Sequence, residues 1–118
     1  MDPGDLHRHV EEAFNSGDVD ALVALYEPDA RMVRDNGSVG SGTDAIREIW
    51  SGFVALGGQI QMTTRFVVEH DDVALLSNTW TFEGAGMTFS ATTAEVARRT
   101  SEGTWRYVID NPFGLTTE

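Results

Sequence analysis

Two polar side chains stand out in this sequence because strand patterns place them among apolar neighbours. Glu95 lies in a long strand arm predicted over residues 87–99, on a face that is otherwise apolar except at Thr93. Asn78 is the one polar residue on the inward face of a strand predicted over residues 73–83. A buried amide or carboxyl group must be hydrogen-bonded, paired or, for the acid, protonated. Asn78 could therefore hold a ligand oxygen or a water molecule, and Glu95 could serve in a pocket.

Asp35 is a further carboxylate at a position suited to chemistry, directly after a short strand predicted over residues 31–34. The sequence Asp-Asn-Gly-Ser at 35–38 is also typical of a turn in which the aspartate accepts hydrogen bonds from backbone amides. Acid–base catalysis uses carboxyl groups whose pKa values are separated. We take Asp35 and Glu95 as the candidate catalytic residues. The alternative for Glu95 is a structural contact with Arg47, Trp105 or Tyr107.

Three aromatic side chains are placed to contact a ligand. Tyr26 and Trp50 lie on the inward stripes of two predicted helices, and Phe89 shares the strand face of Glu95. Together with Asn78 they are the candidate substrate-binding residues. Packing in the core is the other role that such aromatic residues fill.

The remaining reactive residue types favour neither a metal nor a cofactor. His7 and His9 are two residues apart on a predicted helix and point to different faces, while His70 has no companion at ligand spacing. His9 could reach the mouth of a pocket or lie on the surface. Without Cys or Lys, thiol and Schiff-base chemistry are excluded. No glycine-rich phosphate loop is present, so we expect no metal and no cofactor.

Composition and charge restrict the partners. The 118 residues form a single domain, and 41% of them are hydrophobic, which suits a globular core. The net charge is −11, from 8 Arg and no Lys against 19 acidic residues. Nucleic acid and anionic membrane surfaces are therefore disfavoured as partners. The sequence contains neither an 18-residue apolar run nor a signal peptide at its start, so we expect a cytoplasmic protein.

The hydrophobic periodicity predicts helices first and long strands afterwards. The predicted helices cover residues 5–16, 18–26 and 43–56, the last ended by Gly57-Gly58. The predicted strands cover 31–34, 59–68, 73–83, 87–99 and 104–110, with a short strand or loop at 39–42. Alternation groups Ile60, Met62, Thr64, Phe66 and Val68 on one face of their strand, and Trp105, Tyr107 and Ile109 on one face of theirs. This order is typical of an α+β fold with helices packed on one face of a mainly antiparallel sheet.

Four segments together resemble NTF2-like proteins of the SnoaL-like or DUF4440-type branch. The segments are residues 15–22, 25–30, 42–46 and 103–112, and they span nearly the whole chain. The resemblance implies a cone-shaped α+β barrel, in which a strongly bent sheet wraps three helices and a pocket opens at one end. It also implies a homodimer through the outer face of the sheet. The fold hosts isomerases, cyclases, epoxide hydrolases and binding proteins without catalytic activity.

The resemblance also suggests roles for the two carboxylates. The ketosteroid isomerase site on this fold has an aspartate base facing an oxyanion hole made by a tyrosine and a protonated aspartic acid. Asp35 matches the position of that base, and Glu95 matches that of the protonated acid, counted back from Gly103. The tyrosine has no counterpart, since its position corresponds to Val10.

Two functional hypotheses follow. The first is a pocket for a small hydrophobic or polyketide-like molecule; an enzyme of this kind would be a cofactor-free isomerase, cyclase or epoxide hydrolase with Asp35 as base. The alternative is a non-catalytic dimeric module with a vestigial pocket. Its sequence support is a mixed polar row on the outer sheet face, made by Gln61, Thr63, Arg65, Thr79 and Thr81.

Overall fold

Three helices and one mixed sheet of seven strands form the computed structural model, which describes residues 2–113. The helices are α1 (Asp5–Asn15), α2 (Val19–Val23) and α3 (Gly42–Val54). The strands are β1 (Tyr26–Val33), β2 (Val39–Ser41), β3 (Gln59–His70), β4 (Val73–Gly84), β5 (Met87–Thr92), β6 (Ala94–Arg99) and β7 (Trp105–Asn111). None of these helices is long and apolar enough to cross a lipid bilayer.

The sheet has the strand order β2-β1-β7-β6-β4-β3, with β5 added beside β4. All neighbouring pairs are antiparallel except β1 and β7, which run parallel. In the helical layer α1 packs against β3, α3 packs against β1, and α2 contacts both of these helices. One hydrophobic core fills the space between the layers. The predicted α+β class, with three helices on a mainly antiparallel sheet, is confirmed.

Helix α1 is anchored to the backbone of the edge strand β3 by two side chains. The Asn15 amide accepts a hydrogen bond from the Ile60 backbone N–H (2.8 Å) and donates one to the Ile60 carbonyl (3.0 Å). The Glu11 carboxylate accepts from the Met62 N–H at 2.7 Å. These contacts satisfy backbone groups that an edge strand otherwise leaves unpaired. They also fix the height of α1 above the sheet, on which the position of its inward side chains depends.

The predicted strand over 87–99 is two strands, β5 and β6, that pair with β4 in one continuous register. The break falls at Thr93, where side chains replace part of the backbone ladder. The Thr93 hydroxyl accepts a hydrogen bond from the Asn78 backbone N–H (2.9 Å), and the Thr93 carbonyl accepts one from the Ser77 hydroxyl (2.6 Å). Past this point β6 also pairs with β7, whereas β5 pairs with β4 alone.

The predicted inward face of β3 is wrong beyond Thr64. A register shift between Thr64 and Phe66 adds one residue to β3 relative to β4. Because side chains alternate across a strand, a bulge exchanges the inward and outward positions that follow it. Phe66 and Val68 are therefore exposed, and Val67 packs against the core instead.

A second bulge corrects the prediction for β7. Val96 lies opposite Ile109, but Ala97 lies opposite Tyr107, so Val108 is the extra residue. Trp105 and Tyr107 are buried on the same face of the sheet, as their predicted shared face requires. After the bulge the alternation inverts, which turns Ile109 out to solvent.

The segment after α2 also differs from its prediction. The second helix ends at Val23 rather than at Tyr26, and Tyr26 already belongs to β1. A register shift between Tyr26 and Arg31 in the β1–β7 pair accommodates Pro28, which has no N–H to give to a ladder. As a result Tyr26 reaches the inner face of the sheet from a strand, opposite Tyr107.

Gly58 lies where two backbone segments approach closely, so we predict that a side chain at this position destabilises the protein. A Cβ added there would lie 2.4 Å from the Phe82 ring and 2.6 Å from the Glu83 carbonyl oxygen. We expect Gly58→Ala to lower the free energy of unfolding by about 1–3 kcal/mol, because the ring and the strand must shift. Gly52→Ala is the control, since an added Cβ at this helical position meets no atom within 4 Å. Urea denaturation of both variants measures this, and equal stabilities would contradict the packing described.

Candidate functional site

An aromatic cavity lies between the helices and the inner face of the sheet. Six of its lining residues are aromatic: Phe14, Trp50, Phe53, Trp80, Phe82 and Tyr107. The space open to the centres of water-sized spheres is about 40 Å³. A single water needs about 10–15 Å³ by that measure, so the cavity has room for a few waters or one small organic group.

Two carboxyl groups share this cavity. Glu95 on β6 and Asp110 on β7 are direct cross-strand partners, and both line the cavity. Their exposures are only 3% and 6%. Side chains directly opposite each other on antiparallel strands have Cβ atoms about 4.5–5.5 Å apart. Two ionised carboxylates at this spacing in an apolar environment repel each other strongly, which favours a single negative charge on the pair.

Asp110 is held by a chain of hydrogen bonds from β1 and α3. The Tyr26 hydroxyl donates to Asp110 Oδ2 at 2.5 Å, and the Trp50 indole N–H donates to the Tyr26 oxygen at 3.1 Å. Burial and then the charge of Glu95 raise the pKa of Asp110 to about 8, although the hydrogen bond from Tyr26 acts in the opposite direction. Asp110 is therefore mostly protonated at neutral pH.

The two buried tyrosines remain neutral. Burial, followed by the charge of Asp110, raises the pKa of Tyr26 well above its ordinary value. Burial, followed by the charge of Glu95, does the same for the pKa of Tyr107.

Glu95 is held from the opposite side by a histidine and an amide. Its Oε1 is 2.8 Å from Nε2 of His7, and its Oε2 accepts from Nδ2 of Asn78 at 3.0 Å. The other ring nitrogen of His7, Nδ1, lies 2.8 Å from the Thr64 hydroxyl. With Nε2–H donating to the carboxylate, a neutral His7 accepts from Thr64 through Nδ1.

The predicted ion pair of Glu95 with Arg47 is wrong, since Arg47 pairs with Asp20 on α2 at 2.6 Å.

Asn78 supports Glu95 from behind and does not line the cavity. Its amide nitrogen donates to both Glu95 and Thr93, at 3.0 and 3.1 Å. Its carbonyl oxygen, Oδ1, is buried and has no hydrogen-bond partner within residues 2–113. The sequence prediction that Asn78 lies on the inner face of its strand is confirmed by its complete burial.

The three aromatic residues predicted to contact a ligand lie at three different positions relative to the cavity. Trp50 lines the cavity directly. Tyr26 lies behind Asp110 and reaches the cavity only through that carboxyl group. Phe89 packs outside the lining, with its ring 5.4 Å from that of Trp80 and 5.1 Å from that of Phe82.

Asp35 is not brought together with Glu95. It is exposed in the turn between β1 and β2 and borders an open surface cleft with Arg34, Glu48 and Leu56. Phe53 borders both this cleft and the aromatic cavity, so its ring stands between the two spaces. The role of Asp35 as a base therefore remains a prediction, and its side chain lies at the surface, away from Glu95 and Asp110.

Sequence reasoning missed two residues of the buried network, Asp110 and His7. The alternation predicted for β7 turned Asp110 outward, and the only available signal was the pair of adjacent apolar residues, Val108 and Ile109, that interrupts the period of two. His7 had a clearer signal. It precedes Val10 by three residues and Phe14 by seven, which places it on the apolar stripe of α1.

Metal binding has no support in the geometry. Among residues 2–113, no group of three or more His, Asp or Glu side chains is arranged to hold a metal ion.

The helix layer, the sheet order and a cavity between them define an NTF2-like α+β protein. A model of the SnoaL-like domain matches residues 6–111, which is nearly the whole chain. The chain belongs to this SnoaL-like family, and the resemblance noted from its segments is confirmed. A search of curated proteins found no match.

Solved structures agree on the fold. A ketosteroid isomerase-like protein from Erwinia carotovora atroseptica is 19% identical, with a TM-score of 0.74 over 92% of this chain and 89% of the other. A putative dehydratase of the NTF2-like family from Streptomyces avermitilis is 22% identical, with a TM-score of 0.76 and the same coverage of both chains. A putative calcium/calmodulin-dependent protein kinase type II association domain from Thiobacillus denitrificans is 15% identical, with a TM-score of 0.77 over 93% and 94%.

The raised pKa of Asp110 predicts that stability falls as pH rises. Between the ordinary value of 3.8 and about 8 the folded chain binds the proton of this carboxyl group more strongly than the unfolded chain does. The contribution of Asp110 to the free energy of unfolding therefore decreases across that range, by up to about 1.4 kcal/mol per pH unit.

Asp110→Asn keeps the shape of the side chain but does not titrate. We expect wild type to lose stability relative to this variant between roughly pH 5 and pH 8 in denaturant titrations. A stability difference that stays constant over this range would show that Asp110 titrates normally.

Proposed function

We propose that the protein binds a small, largely apolar molecule in the aromatic cavity and acts on it by cofactor-free acid–base chemistry. The observation that carries the proposal is the pair of buried carboxyl groups, Glu95 and Asp110, facing each other across two strands at the cavity wall. Burial and the charge of Glu95 raise the pKa of Asp110 to about 8, which suits Asp110 to the role of acid and leaves Glu95 for the role of base.

Asp110 is the acid of this proposal. Its raised pKa keeps the proton at neutral pH, and the Tyr26 hydroxyl orients the group through Oδ2. A neutral carboxylic acid can donate a hydrogen bond or a proton to a carbonyl, hydroxyl or epoxide oxygen of a ligand. The surrounding aromatic side chains strengthen this interaction by limiting water.

Glu95 is the base of this proposal, in place of the Asp35 suggested by the sequence. Its Oε1 lies 2.8 Å from His7 Nε2 and its Oε2 accepts a hydrogen bond from Asn78, so the carboxylate is held in one orientation at the cavity wall.

The reactions that fit these roles are isomerisation next to a carbonyl, dehydration or cyclisation, and epoxide opening. In dehydration, cyclisation and epoxide opening the acid gives a proton to oxygen and the base takes one from carbon or water. In isomerisation the base moves a proton from one carbon to another while the acid donates a hydrogen bond to the carbonyl oxygen, and none of these reactions needs a redox step. The names of the similar ketosteroid isomerase-like protein and putative dehydratase support this range of reactions without selecting one.

Three six-membered-ring probes of similar size test the catalytic proposal. Cyclohex-3-enone reports isomerisation, 3-hydroxycyclohexanone reports dehydration, and cyclohexene oxide reports epoxide opening. We expect turnover of at least one probe, and a loss of about 10²–10⁴-fold in Glu95→Gln and Asp110→Asn. Asp35→Asn is the matched control and should retain the wild-type rate. Binding without turnover of any probe would favour the non-catalytic alternative, and loss in Asp35→Asn alone would return the role of base to Asp35.

A second proposal concerns assembly through the outer face of the sheet. The cross-strand register aligns an apolar row over four strands: Val68, Leu75, Val96 and Ile109. Three of these side chains are about half exposed, at 56% for Val68, 46% for Leu75 and 44% for Ile109. The row lies beside the polar row of Gln61, Thr63, Arg65, Thr79 and Thr81 proposed from the sequence. An apolar centre with a polar border is typical of a homodimer interface.

We predict that a single charged substitution within the apolar row dissociates the dimer. We expect wild type to sediment as a dimer in analytical ultracentrifugation and Leu75→Asp as a folded monomer, because a carboxylate would be buried without a partner at the centre of the interface. Val39→Asp is the control, since Val39 is 53% exposed on β2, away from the row. A wild type that is monomeric over the whole concentration range would contradict this proposal.

A further inference from the structure

The charge balance of the aromatic cavity is unusual for a site that takes only neutral molecules. Two carboxyl groups line the wall, whereas none of the lining residues within 2–113 is arginine or histidine. The nearest histidine is His7, which touches Glu95 from outside the lining. A positive charge inside the cavity would meet acidic groups and no repelling cation.

The aromatic wall adds a second, independent preference for positive charge. Six aromatic rings surround the space, and Trp50 and Trp80 are among them. The face of an aromatic ring carries partial negative charge, and sites lined by several rings recognise ammonium groups, with Trp the strongest contributor. The interaction is strongest where the ammonium group is removed from water.

We propose that the molecule taken by this cavity carries a positive charge, in the form of a small protonated amine seated among the rings against Glu95 and Asp110. The inference rests on the proposed function only in that the cavity is a binding site. It extends that function by naming the ligand class. The same charge distribution would also favour a reaction that builds positive charge on a neutral substrate, as acid-promoted dehydration and epoxide opening do.

Proton release accompanies this binding. An ammonium group beside Asp110 favours its ionised form, so Asp110 gives its proton to solvent when the amine binds. The titratable groups that face Asp110 are Glu95 on β6, Tyr26 on β1 and Tyr107 on its own strand, with His7 of α1 behind Glu95. Affinity for the cation should therefore rise with pH up to about 8, the pKa of Asp110, and level off above it.

Three probes that share a tert-butyl group separate charge from shape. tert-Butylamine is protonated throughout the useful pH range, tert-butanol is neutral and pivalate is an anion. Calorimetry and NMR titration of the full chain should give the affinity order cation, neutral, anion, with about tenfold or more between the first two. The preference for the cation should increase between roughly pH 6 and pH 8, with measurable proton release.

Charge-removing variants of equal size give the matched controls. Asp110→Asn should bind the cation with an affinity that no longer rises with pH. Glu95→Gln alone should keep part of the preference for tert-butylamine over tert-butanol, because removal of the Glu95 charge lets Asp110 ionise at lower pH. The double variant Glu95→Gln/Asp110→Asn should lose this preference, and its full retention there would overturn the inference.

The outcomes distinguish this inference from the proposed function. Equal affinities of wild type for tert-butylamine and tert-butanol would overturn the ligand class and leave the cavity as a binding site for neutral molecules. Binding of none of the three probes, together with no turnover of the ring probes, would overturn both. Turnover of a ring probe without any preference for the cation would overturn the inference alone.

Discussion

The close cross-strand pairing of the Glu95 and Asp110 carboxyl groups is the interaction on which this site depends. Two carboxyl groups on neighbouring strands in an aromatic cavity cannot both be charged at low cost, and the structure accommodates them by giving each a different partner. Tyr26 donates to Asp110, whose pKa rises to about 8. His7 and Asn78 hold Glu95. The result is an acid and an anionic acceptor facing the same small space.

The fold maintains this opposition through irregular features rather than through regular strands. The bulge at Val108 turns Asp110 inward, and the interrupted ladder at Thr93 leaves Asn78 free to support Glu95. Helix α1 is tied to β3 by Glu11 and Asn15, which sets the level at which His7 meets the carboxylate. Bulges and side-chain hydrogen bonds within a sheet are common near functional sites because they redirect side chains.

The local sequence pattern was sufficient to predict the fold class and one of the two buried carboxyl groups, that of Glu95. Helices α1 and α3 and the switch to long strands follow from periodicity, and the structure confirms them. The second helix is shorter than predicted, and the predicted alternation fails past the bulges in β3 and β7. Glu95 and Asn78 were recognisable because each is a polar residue in an apolar alternation. Asp110 was not, since a bulge depends on the partner strand and leaves almost no local signal. Asp35 was given a role by resemblance, but its turn is exposed.

The most direct test of the central claim is a carboxyl-carbon NMR titration of Asp110 and Glu95, assigned with Asp110→Asn and Glu95→Gln. We predict that the Asp110 resonance titrates near pH 8. In Glu95→Gln this midpoint should move toward lower pH, because the repelling charge is removed. A midpoint near the ordinary value of 3.8 for Asp110, or no change in Glu95→Gln, would show that Asp110 does not keep its proton beside Glu95 and would contradict the acid–base proposal.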